Sequence, residues 1–330
     1  MKKSNPIVRV ADYVMNTIHS LGTKHIFMVT GRGALFLTDA VAKHKGLNGI
    51  CVHHEQSAAY AAVAYSETSG NLGACLVSTG CAGTNAITGV LNAWQDGVPC
   101  VFISGQNKLN ETSRFTGIPI RTYGQQEADI IPVVESITKY AVMITDPSKI
   151  VYEMTKAIYL AQNGRKGPVW IDIPLDVQNM RINPDKLNSY TIINETNYDP
   201  KEDDIQYIVD SINKSKRPSI LIGSAIRSSG SISNFENFIE KNPIPITYSG
   251  SATDTYADDF PNSIGSVGIM GCTRAGNFTV QNSDLLIVLG SRLSSMTTGP
   301  DIKKFAREAK VIIVDIDSLE HTKSCLNIDR

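Results

Sequence analysis

Short apolar runs rich in β-branched residues alternate along the chain with longer segments in which apolar positions recur every three or four residues. In the first half this pattern predicts strands at His25–Val29, Gly49–His53, Ala74–Ser78, Cys100–Ser104 and Val169–Ile173. Between them it predicts helices at Val8–Leu21, Ala34–His44, Glu55–Thr68, Gly83–Trp94 and Ser148–Asn163. Such alternation is typical of a parallel sheet with right-handed crossovers. Strands that are apolar on both faces predict helices on both sides of that sheet.

The alternation of predicted strands and helices is interrupted once along the chain. Residues 179–200 are rich in Asn, Asp, Pro and Thr, which is typical of a linker. Beyond them the pattern predicts strands at Ser219–Ile222, Ile244–Thr247, Leu285–Leu289 and Val311–Asp315, and helices at Asp203–Asn213, Ser231–Lys241 and Thr273–Val280. The predicted organisation is therefore a doubly wound α/β domain over residues 1–178, a linker, and a second, Rossmann-like α/β domain over residues 201–330.

Charge and cysteine content narrow the function classes. The 330 residues carry 31 basic and 32 acidic side chains, which leaves a net charge of −1. This balance offers no overall attraction to nucleic acid or to an anionic membrane, so neither is expected as a partner. No window approaches roughly 18 uninterrupted apolar residues, and the N-terminus lacks the apolar stretch of a signal peptide. The six cysteines form no C-x-x-C pair, which favours reduced thiols in a cytoplasmic protein.

Glu55 is the sharpest single candidate for chemistry. It follows a predicted strand and opens a predicted helix whose first turns consist almost entirely of small residues. A carboxylate at a helix N-terminus is favoured by the helix dipole and by the free backbone N–H groups. In an open α/β sheet this position lies at the carboxyl end of a strand, where ligands bind. Position alone leaves open whether Glu55 binds a ligand or only starts a helix. The small residues fit either close approach of a helix or subunit, or plain core packing.

Two glycine-containing turns also follow predicted strands. One is GCAG at residues 80–83, followed by Thr84 or Asn85 as a helix cap, and the other is GRGA at residues 31–34. The first resembles a phosphate cradle in outline, but it lacks the Lys-Ser/Thr of a P-loop and the full dinucleotide G-x-G-x-x-G. Glycines in such turns allow close approach of the backbone to a flat ligand, or they only close a βα unit.

Taken together, these segments resemble one family. The runs HEQSAAYAA, STGCAGTNAITGVLNAWQDGVP, ISGQ, GQQEAD, ITKYAV and GPVWIDIPLDVQ occur in the order and spacing of thiamine-diphosphate enzymes, and the acetolactate synthase group is the most similar. The resemblance covers an N-terminal pyrimidine-binding domain up to about residue 180. It continues through a central domain, where GIMGCTRAGNF, SDLLIVLGSR and VDID fit.

The resemblance implies roles for individual residues. Glu55 matches the acid that hydrogen-bonds N1′ of the cofactor's aminopyrimidine and favours the imino tautomer, whose 4′-imine removes the thiazolium C2 proton. Gln126 matches the glutamine of a phenylalanine–glutamine–glutamate motif that approaches the reaction centre, and Lys139 matches the lysine shortly after it. The other positions that match the cofactor pocket are Gly33, Ala34, Thr79, Gly80, Gly83 and Asn85.

The resemblance also implies a reaction and partners. It implies a decarboxylase or carboligase, a lyase or transferase, that acts on a 2-keto acid such as pyruvate, as in branched-chain amino acid biosynthesis. A homodimer or tetramer is expected, because the family's site forms between the pyrimidine domain of one subunit and the diphosphate domain of another. That domain binds Mg²⁺, and its Gly-Asp-Gly motif does not occur in these residues. The chain is thus expected to need a diphosphate-binding domain or chain. The alternative is a non-catalytic truncated or split product that dimerises.

Several positions depart from the members that bind FAD. Where those members typically have an arginine–aspartate–aspartate–arginine pattern, residues 290–296 read GSRLSSM and keep only Arg292. Gly271 is the other possible remnant of a flavin site. An arginine expected after ISGQ is Leu109, and the aromatic residue of the glutamine motif is Gln125. These departures argue against FAD and against strict acetolactate chemistry, and they leave open related enzymes that act on other 2-keto acids.

Overall fold

The computed structural model describes residues 7–192, 199–256, 259–260, 262–323 and 328–329. Contacts divide the chain into two compact units, Met1–Glu195 and Thr196–Arg330. Each unit is built on a parallel sheet, one of six strands and one of five. The predicted fold class, two doubly wound α/β domains, is therefore confirmed.

The first unit contains the six-stranded sheet. The unit as a whole has eight described strands, which in chain order are β1 (Val8–Arg9), β2 (His25–Met28), β3 (Asn48–Cys51), β4 (Gly73–Val77), β5 (Cys100–Gln106), β6 (Tyr140–Met143), β7 (Val169–Pro174) and β8 (Arg181–Ile182). Six of them form the sheet in the order β3-β2-β4-β5-β7-β6, whereas β1 and β8 pair as a separate antiparallel ribbon. The direction of winding reverses between β2 and β4. This gap is the switch point of the first sheet, where α/β proteins bind ligands beside the carboxyl ends of the strands.

Helices cover both faces of this sheet. They are α1 (Val10–Ser20), α2 (Leu35–Lys43), α3 (Glu55–Ser69), α4 (Cys81–Asn85), α5 (Ile87–Asp96), α6 (Ser113–Thr116), α7 (Ile131–Val134), α8 (Ile150–Gln162) and α9 (Leu175–Asn179). One face packs against α1, α2 and α8 through residues such as Met15, Leu37 and Met154. The other face packs against α3 and α5 through Ala59 and Val90. Burial on both faces is why the central strands are apolar throughout.

Small residues bring α3 and α5 close together. A Cβ added to Gly89 of α5 would lie 2.4 Å from the Cβ of Ala59 on α3. Ala58 and Ala62 of α3 are buried as well. The small residues that follow Glu55 therefore permit the close approach of a neighbouring helix.

The second unit contains the five-stranded sheet. Its elements are α10 (Glu202–Lys214), β9 (Pro218–Ile222), α11 (Ala225–Ser228), α12 (Ile232–Lys241), β10 (Ile246–Ser249), β11 (Ser263–Val267), α13 (Arg274–Asn282), β12 (Leu285–Leu289), α14 (Ser295–Thr298) and β13 (Lys310–Val314). The strand order is β11-β10-β9-β12-β13, and all pairings are parallel. Winding reverses between β9 and β12, so this gap is the switch point of the second sheet.

Some predicted elements differ from those observed. The helix predicted over Gly83–Trp94 is wrong as one piece, because α4 and α5 are separate helices joined at Ala86. The first helix begins at Val10, since the two residues before it pair with β8. The pattern does not predict β6 or β11. Strand β6 lies at the edge of its sheet and is only partly buried, and β11 contains two serines and a glycine, so neither forms a strongly apolar run.

The segment predicted as a linker begins within folded structure. Arg181–Ile182 of that segment form β8, with Ile182 buried, and Pro184–Lys186 form a short 3₁₀-helix. Residues 193–198 of the same segment lie outside the described residues. The bounds of the linker stay a prediction.

Candidate functional site

The turns that follow β2 and β4 meet at the switch point of the first sheet. A Cβ added to Gly33 would lie 1.8 Å from Thr79 Oγ1, so only glycine fits there. The Gly33 N–H donates to Ser78 Oγ at 3.2 Å, and Thr79 Oγ1 donates to the Gly105 carbonyl at 3.1 Å. Ala34, beside Gly33, is fully buried. Three of the predicted pocket residues are therefore packed together where β2, β4 and β5 end.

Glu55 lies at the N-terminus of α3 and is half-buried. Its helix is capped by His54, whose Nδ1 accepts the Gln56 N–H at 3.1 Å, so the carboxylate of Glu55 is not used as the cap. Asn85 Nδ2 donates to Glu55 Oε2 at 2.9 Å. Among the described residues no hydrogen bond reaches the other oxygen, Oε1, which leaves that oxygen for a ligand. Asn85 ends α4 and contacts Glu55 in this way; it is not the helix cap that the sequence suggested.

The surroundings of the Glu55 carboxylate include a buried thiol. Cys75 lies in β4 and is 1% exposed. Burial raises the pKa of the Cys75 thiol well above its usual range, and the charge of Glu55 adds to that rise. The Cys75 thiol therefore stays neutral.

Gly80 and Gln126 meet backbone to backbone beside this turn. A Cβ added to Gly80 would lie 2.0 Å from the Gln126 carbonyl oxygen. Gly80 has φ of 65° and Gln126 has φ of 57°, which is uncommon for a residue that carries a Cβ. Gly83 is buried in α4, where a Cβ would lie 3.4 Å from the side chain of Ile130. The structure thus brings the exposed Gln126 next to the turn that leads to Asn85.

A buried polar cluster beneath Gln126 is absent from the sequence-based site. Asp172 in β7 is 1% exposed. It accepts hydrogen bonds from Ser104 Oγ at 2.6 Å and from Gln106 Nε2 at 3.2 Å. Burial raises the pKa of Asp172 to about 7, although both hydrogen bonds oppose that rise. The sequence does contain a sign of this cluster, because an acid inside the apolar run VWIDIP needs buried hydrogen-bond partners.

Lys139 lies away from these residues. Its Nζ donates to the carbonyls of Asn163 and Arg165 at 2.6 and 2.7 Å. Its backbone N–H donates to the carbonyl of Pro168, which directly precedes β7. Lys139 therefore lies at the amino end of the strands, whereas the other predicted residues of this unit lie at the carboxyl end. Burial lowers the pKa of its ammonium group.

The two possible flavin remnants lie in the second unit. Gly271 follows β11 and has φ of 61°, and a Cβ added to it would meet no atom within 4 Å. Arg292 follows β12; its side chain is exposed, and its carbonyl accepts a hydrogen bond from Lys323 Nζ. In the sheet β11 and β12 are separated by β10 and β9, so the two residues follow strands that are not neighbours.

The described residues hold neither a candidate metal cluster nor a helix able to span a membrane. They contain no group of three or more His, Cys, Asp and Glu side chains able to hold a metal ion. In the same part of the chain no helix combines the length and the apolar character needed to cross a membrane.

Two models of one protein family match the chain. Residues 8–133 match the N-terminal TPP-binding domain of thiamine pyrophosphate enzymes. Residues 205–327 match the central domain of thiamine pyrophosphate enzymes.

Curated proteins of similar sequence include several acetolactate synthases. The large subunit from Lactococcus lactis is 32% identical over 311 residues, which are 93% of this chain and 52% of that protein. A probable large subunit from Methanocaldococcus jannaschii is 33% identical over 321 residues, 95% of this chain and 52% of that protein. The chloroplastic acetolactate synthase 1 of Zea mays is 31% identical over 320 residues, 95% of this chain and 48% of that protein. The chain thus spans about half the length of the curated relatives it matches.

Proposed function

Because the chain belongs to the thiamine pyrophosphate enzymes and its domains are similar to those of acetolactate synthases, we propose that it supplies the pyrimidine-binding half of a site acting on a 2-keto acid. In this proposal Glu55 binds N1′ of the aminopyrimidine of thiamine diphosphate. The observation that carries it is the 2.9 Å hydrogen bond from Asn85 to Glu55, two residues 30 positions apart that both match the cofactor pocket.

The residues at the first switch point fit a flat heterocycle. Gly33 lets the turn after β2 lie against the Thr79 side chain, and Gly80 lets the turn after β4 lie against the backbone of Gln126. Glu55 keeps one carboxylate oxygen for a ring nitrogen while Asn85 holds the other. A half-buried carboxylate can share a proton with such a nitrogen. Bound there, thiamine diphosphate would supply a carbon nucleophile and an electron sink.

The remaining residues of the site have supporting roles in the proposal. Asn85 orients the Glu55 carboxylate, and Thr79 holds the turn by its hydrogen bond to Gly105. Gln126 faces the reacting part of the substrate from the segment that lies against Gly80.

The proposal assigns the cofactor's diphosphate and Mg²⁺ to a diphosphate-binding domain outside these 330 residues, on the same polypeptide or on another chain. The donor would be a 2-keto acid such as pyruvate, and the assembly a homodimer or tetramer. FAD is left out of the proposal, because the acids expected after Arg292 are replaced by Leu293 and Ser294.

Turnover of a Glu55→Gln variant tests the proposal. The enzyme is assayed on pyruvate and other 2-keto acids with the diphosphate-binding domain supplied as a fusion or a separate chain. The change keeps the shape of the side chain but removes its charge, so turnover should fall by about 10²–10⁴-fold with the fold intact. Glu67→Gln is the matched control, since Glu67 is an exposed acid at the other end of α3, and it should keep wild-type turnover.

Near-normal turnover of Glu55→Gln would remove Glu55 from the mechanism. An assembled wild-type enzyme that dimerises but consumes no 2-keto acid would favour the non-catalytic alternative instead.

A further inference from the structure

A buried polar chain leads from β7 toward the segment that carries Gln126. Trp170 Nε1 donates to Ser104 Oγ at 2.9 Å, and Ser104 Oγ donates to Asp172 Oδ1 at 2.6 Å. Gln106 Nε2 donates to the other oxygen, Oδ2, at 3.2 Å. All four side chains belong to residues that are at most 2% exposed. Water therefore does not compete for these hydrogen bonds, and a lost partner leaves a buried polar group unsatisfied.

Gln106 connects Asp172 to the backbone of that segment. Its Nε2 also donates to the Ala128 carbonyl at 3.0 Å, and its Oε1 accepts the N–H of Asn107 at 3.0 Å. Both N–H donors of the carboxamide are therefore used. Because Asp172 presents an acceptor, the NH₂ group of Gln106 must face β7, and this orientation is the one that also reaches Ala128.

The backbone on both sides of Gln126 is held in place. Asn107 Nδ2 donates to the Gln125 carbonyl at 3.0 Å. The carboxylate of Glu127, which is 5% exposed, accepts from the N–H and the Oγ of Ser113 at 3.0 and 2.7 Å. Gln126 is thus flanked by two residues whose positions depend on buried side chains.

Gln126 itself has a conformation that needs such support. Its φ of 57° lies in the left-handed region, which disfavours residues with a Cβ. Residues in such conformations persist only where the surrounding structure holds them. Gly80 makes room for the Gln126 carbonyl, so that this strained residue lies against the turn leading to Asn85.

We propose that Asp172, acting through Gln106, positions the backbone of residues 125–128 and thereby presents Gln126 to the pyrimidine site. Asp172 is a positioning residue in this account and does not touch substrate or cofactor. That Gln126 is presented to the pyrimidine site rests on the function proposed above. That the hydrogen bonds of Asp172 and Gln106 hold residues 125–128 in place does not depend on that function. A merely structural acid would stabilise the whole sheet, but a positioning acid stabilises this segment in particular.

Hydrogen exchange on the 330-residue chain tests the network without requiring turnover. Asp172→Leu keeps a similar volume and removes both acceptors, and Gln106→Met removes the link to Ala128 if the first variant fails to fold. In either variant the amides of residues 122–128 should exchange about tenfold faster, while residues 73–77 of β4 keep their protection. Asp172→Asn is the conservative variant. It retains an acceptor oxygen for Gln106 and should stay within about twofold of wild type.

Thr23→Val is the matched control. It removes an equally buried hydrogen bond, from Thr23 Oγ1 to the Leu72 carbonyl at 2.7 Å, at the amino end of the same sheet. It should leave exchange at residues 122–128 unchanged. Unchanged exchange there in Asp172→Leu and Gln106→Met, or an equal rise at residues 73–77, would overturn the proposal.

Turnover of the assembled enzyme then separates this proposal from the previous one. Asp172→Leu should lower kcat by about 10²-fold, because a catalytic segment is displaced. In a Gln126→Ala background the same change should have no further effect, since Asp172 acts through Gln126. Additive losses would contradict the positioning role. If Gln126→Ala alone keeps full turnover, the role of Gln126 in the proposed function fails, and the exchange result still decides whether the network positions the segment.

Discussion

The two units have switch points of the same construction. In the first unit Gly33 lies against Thr79 between β2 and β4, and in the second unit Gly223 lies against Gly290 between β9 and β12. A Cβ on Gly33 would fall 1.8 Å from Thr79 Oγ1, and a Cβ on Gly223 would fall 2.1 Å from the Gly290 carbonyl oxygen. Both glycines leave no room for a Cβ, although the neighbouring atom belongs to a side chain in the first unit and to the backbone in the second.

The acidic residues near the two switch points differ. In the first unit Glu55 is bound by the neutral amide of Asn85 and does not cap its own helix. In the second unit the acids that follow β13 stabilise their own loop. Asp315 accepts the Asp317 N–H at 2.9 Å, and Asp317 caps the next short helix through the Leu319 N–H at 3.1 Å. The two switch points thus share a fold but differ in how their nearby acids are used, and function depends on such side chains more than on the fold.

The largest effect on turnover is expected when Asn85, the residue that binds Glu55 in the first unit, is replaced. Asn85→Ala removes the only described hydrogen bond to the Glu55 carboxylate, so the acid loses its orientation. Turnover of the assembled enzyme should fall by about 10²-fold. Thr84→Ala, at the adjacent exposed residue of α4, is the control and should retain turnover. Equal turnover of the two variants would show that the amide does not matter.

The two switch-point regions can be compared by equivalent glycine substitutions. Gly80→Ala places a Cβ 2.0 Å from the Gln126 carbonyl, and Gly223→Ala places one 2.1 Å from the Gly290 carbonyl. Each should lower the free energy of unfolding by about 2 kcal/mol, as measured by circular dichroism in denaturant. Only Gly80→Ala should also lower kcat when both variants are assayed folded. A similar loss of kcat in Gly223→Ala would mean that the second switch point takes part in the reaction.

A smaller effect is expected from pH. Burial raises the pKa of Asp172 to about 7, and Asp129 opposes while Arg114 favours its ionisation. The native carboxyl keeps its proton to higher pH than the unfolded chain does, so the contribution of Asp172 to stability is fully present below its unfolded pKa and is lost as pH rises through about 7. Between pH 6 and 8 the free energy of unfolding should fall by about 1 kcal/mol on this account.

Trp170 provides the readout for that titration, because its indole is linked to Asp172 through Ser104. In a Trp94→Phe background the fluorescence should change near pH 7, and Asp172→Asn should abolish both that change and the fall in stability. A change that survives in Asp172→Asn would assign the titration to another group.

The smallest effect is expected for binding of thiamine diphosphate to the isolated chain. Calorimetry of these 330 residues with thiamine diphosphate and Mg²⁺ should detect no binding at micromolar ligand, because the diphosphate contacts are assigned to another domain. Saturable micromolar binding would contradict that assignment and would require an anion site in one of the two units.

The sequence could predict the elements whose patterns were strong. The wholly buried strands β4 and β5 match their predicted positions closely, as does the start of α3 at Glu55. Strands β6 and β11 could not be predicted in the same way, because one is a half-buried edge and the other is largely polar.

The contacts of the site were harder to predict than its residues. Asn85, which meets Glu55, ends α4 where the chain breaks at Ala86 before α5, and periodicity does not reveal this break. Asp172 could have been noticed as a lone acid in an apolar strand, but its partners Ser104 and Gln106 lie on β5 and depend on the strand order. The roles of Glu55 and Gln126 came from family resemblance and stay predictions.

The central claim is that Glu55 activates the cofactor, and proton exchange at C2 of the bound thiazolium measures this most directly. The exchange rate is followed by NMR after mixing the assembled enzyme with D₂O, in the absence of any keto acid. The account predicts that Glu55→Gln slows this exchange by about 10²-fold or more, whereas Glu67→Gln leaves it unchanged. Exchange at the wild-type rate in Glu55→Gln, with the cofactor still bound, would contradict the account.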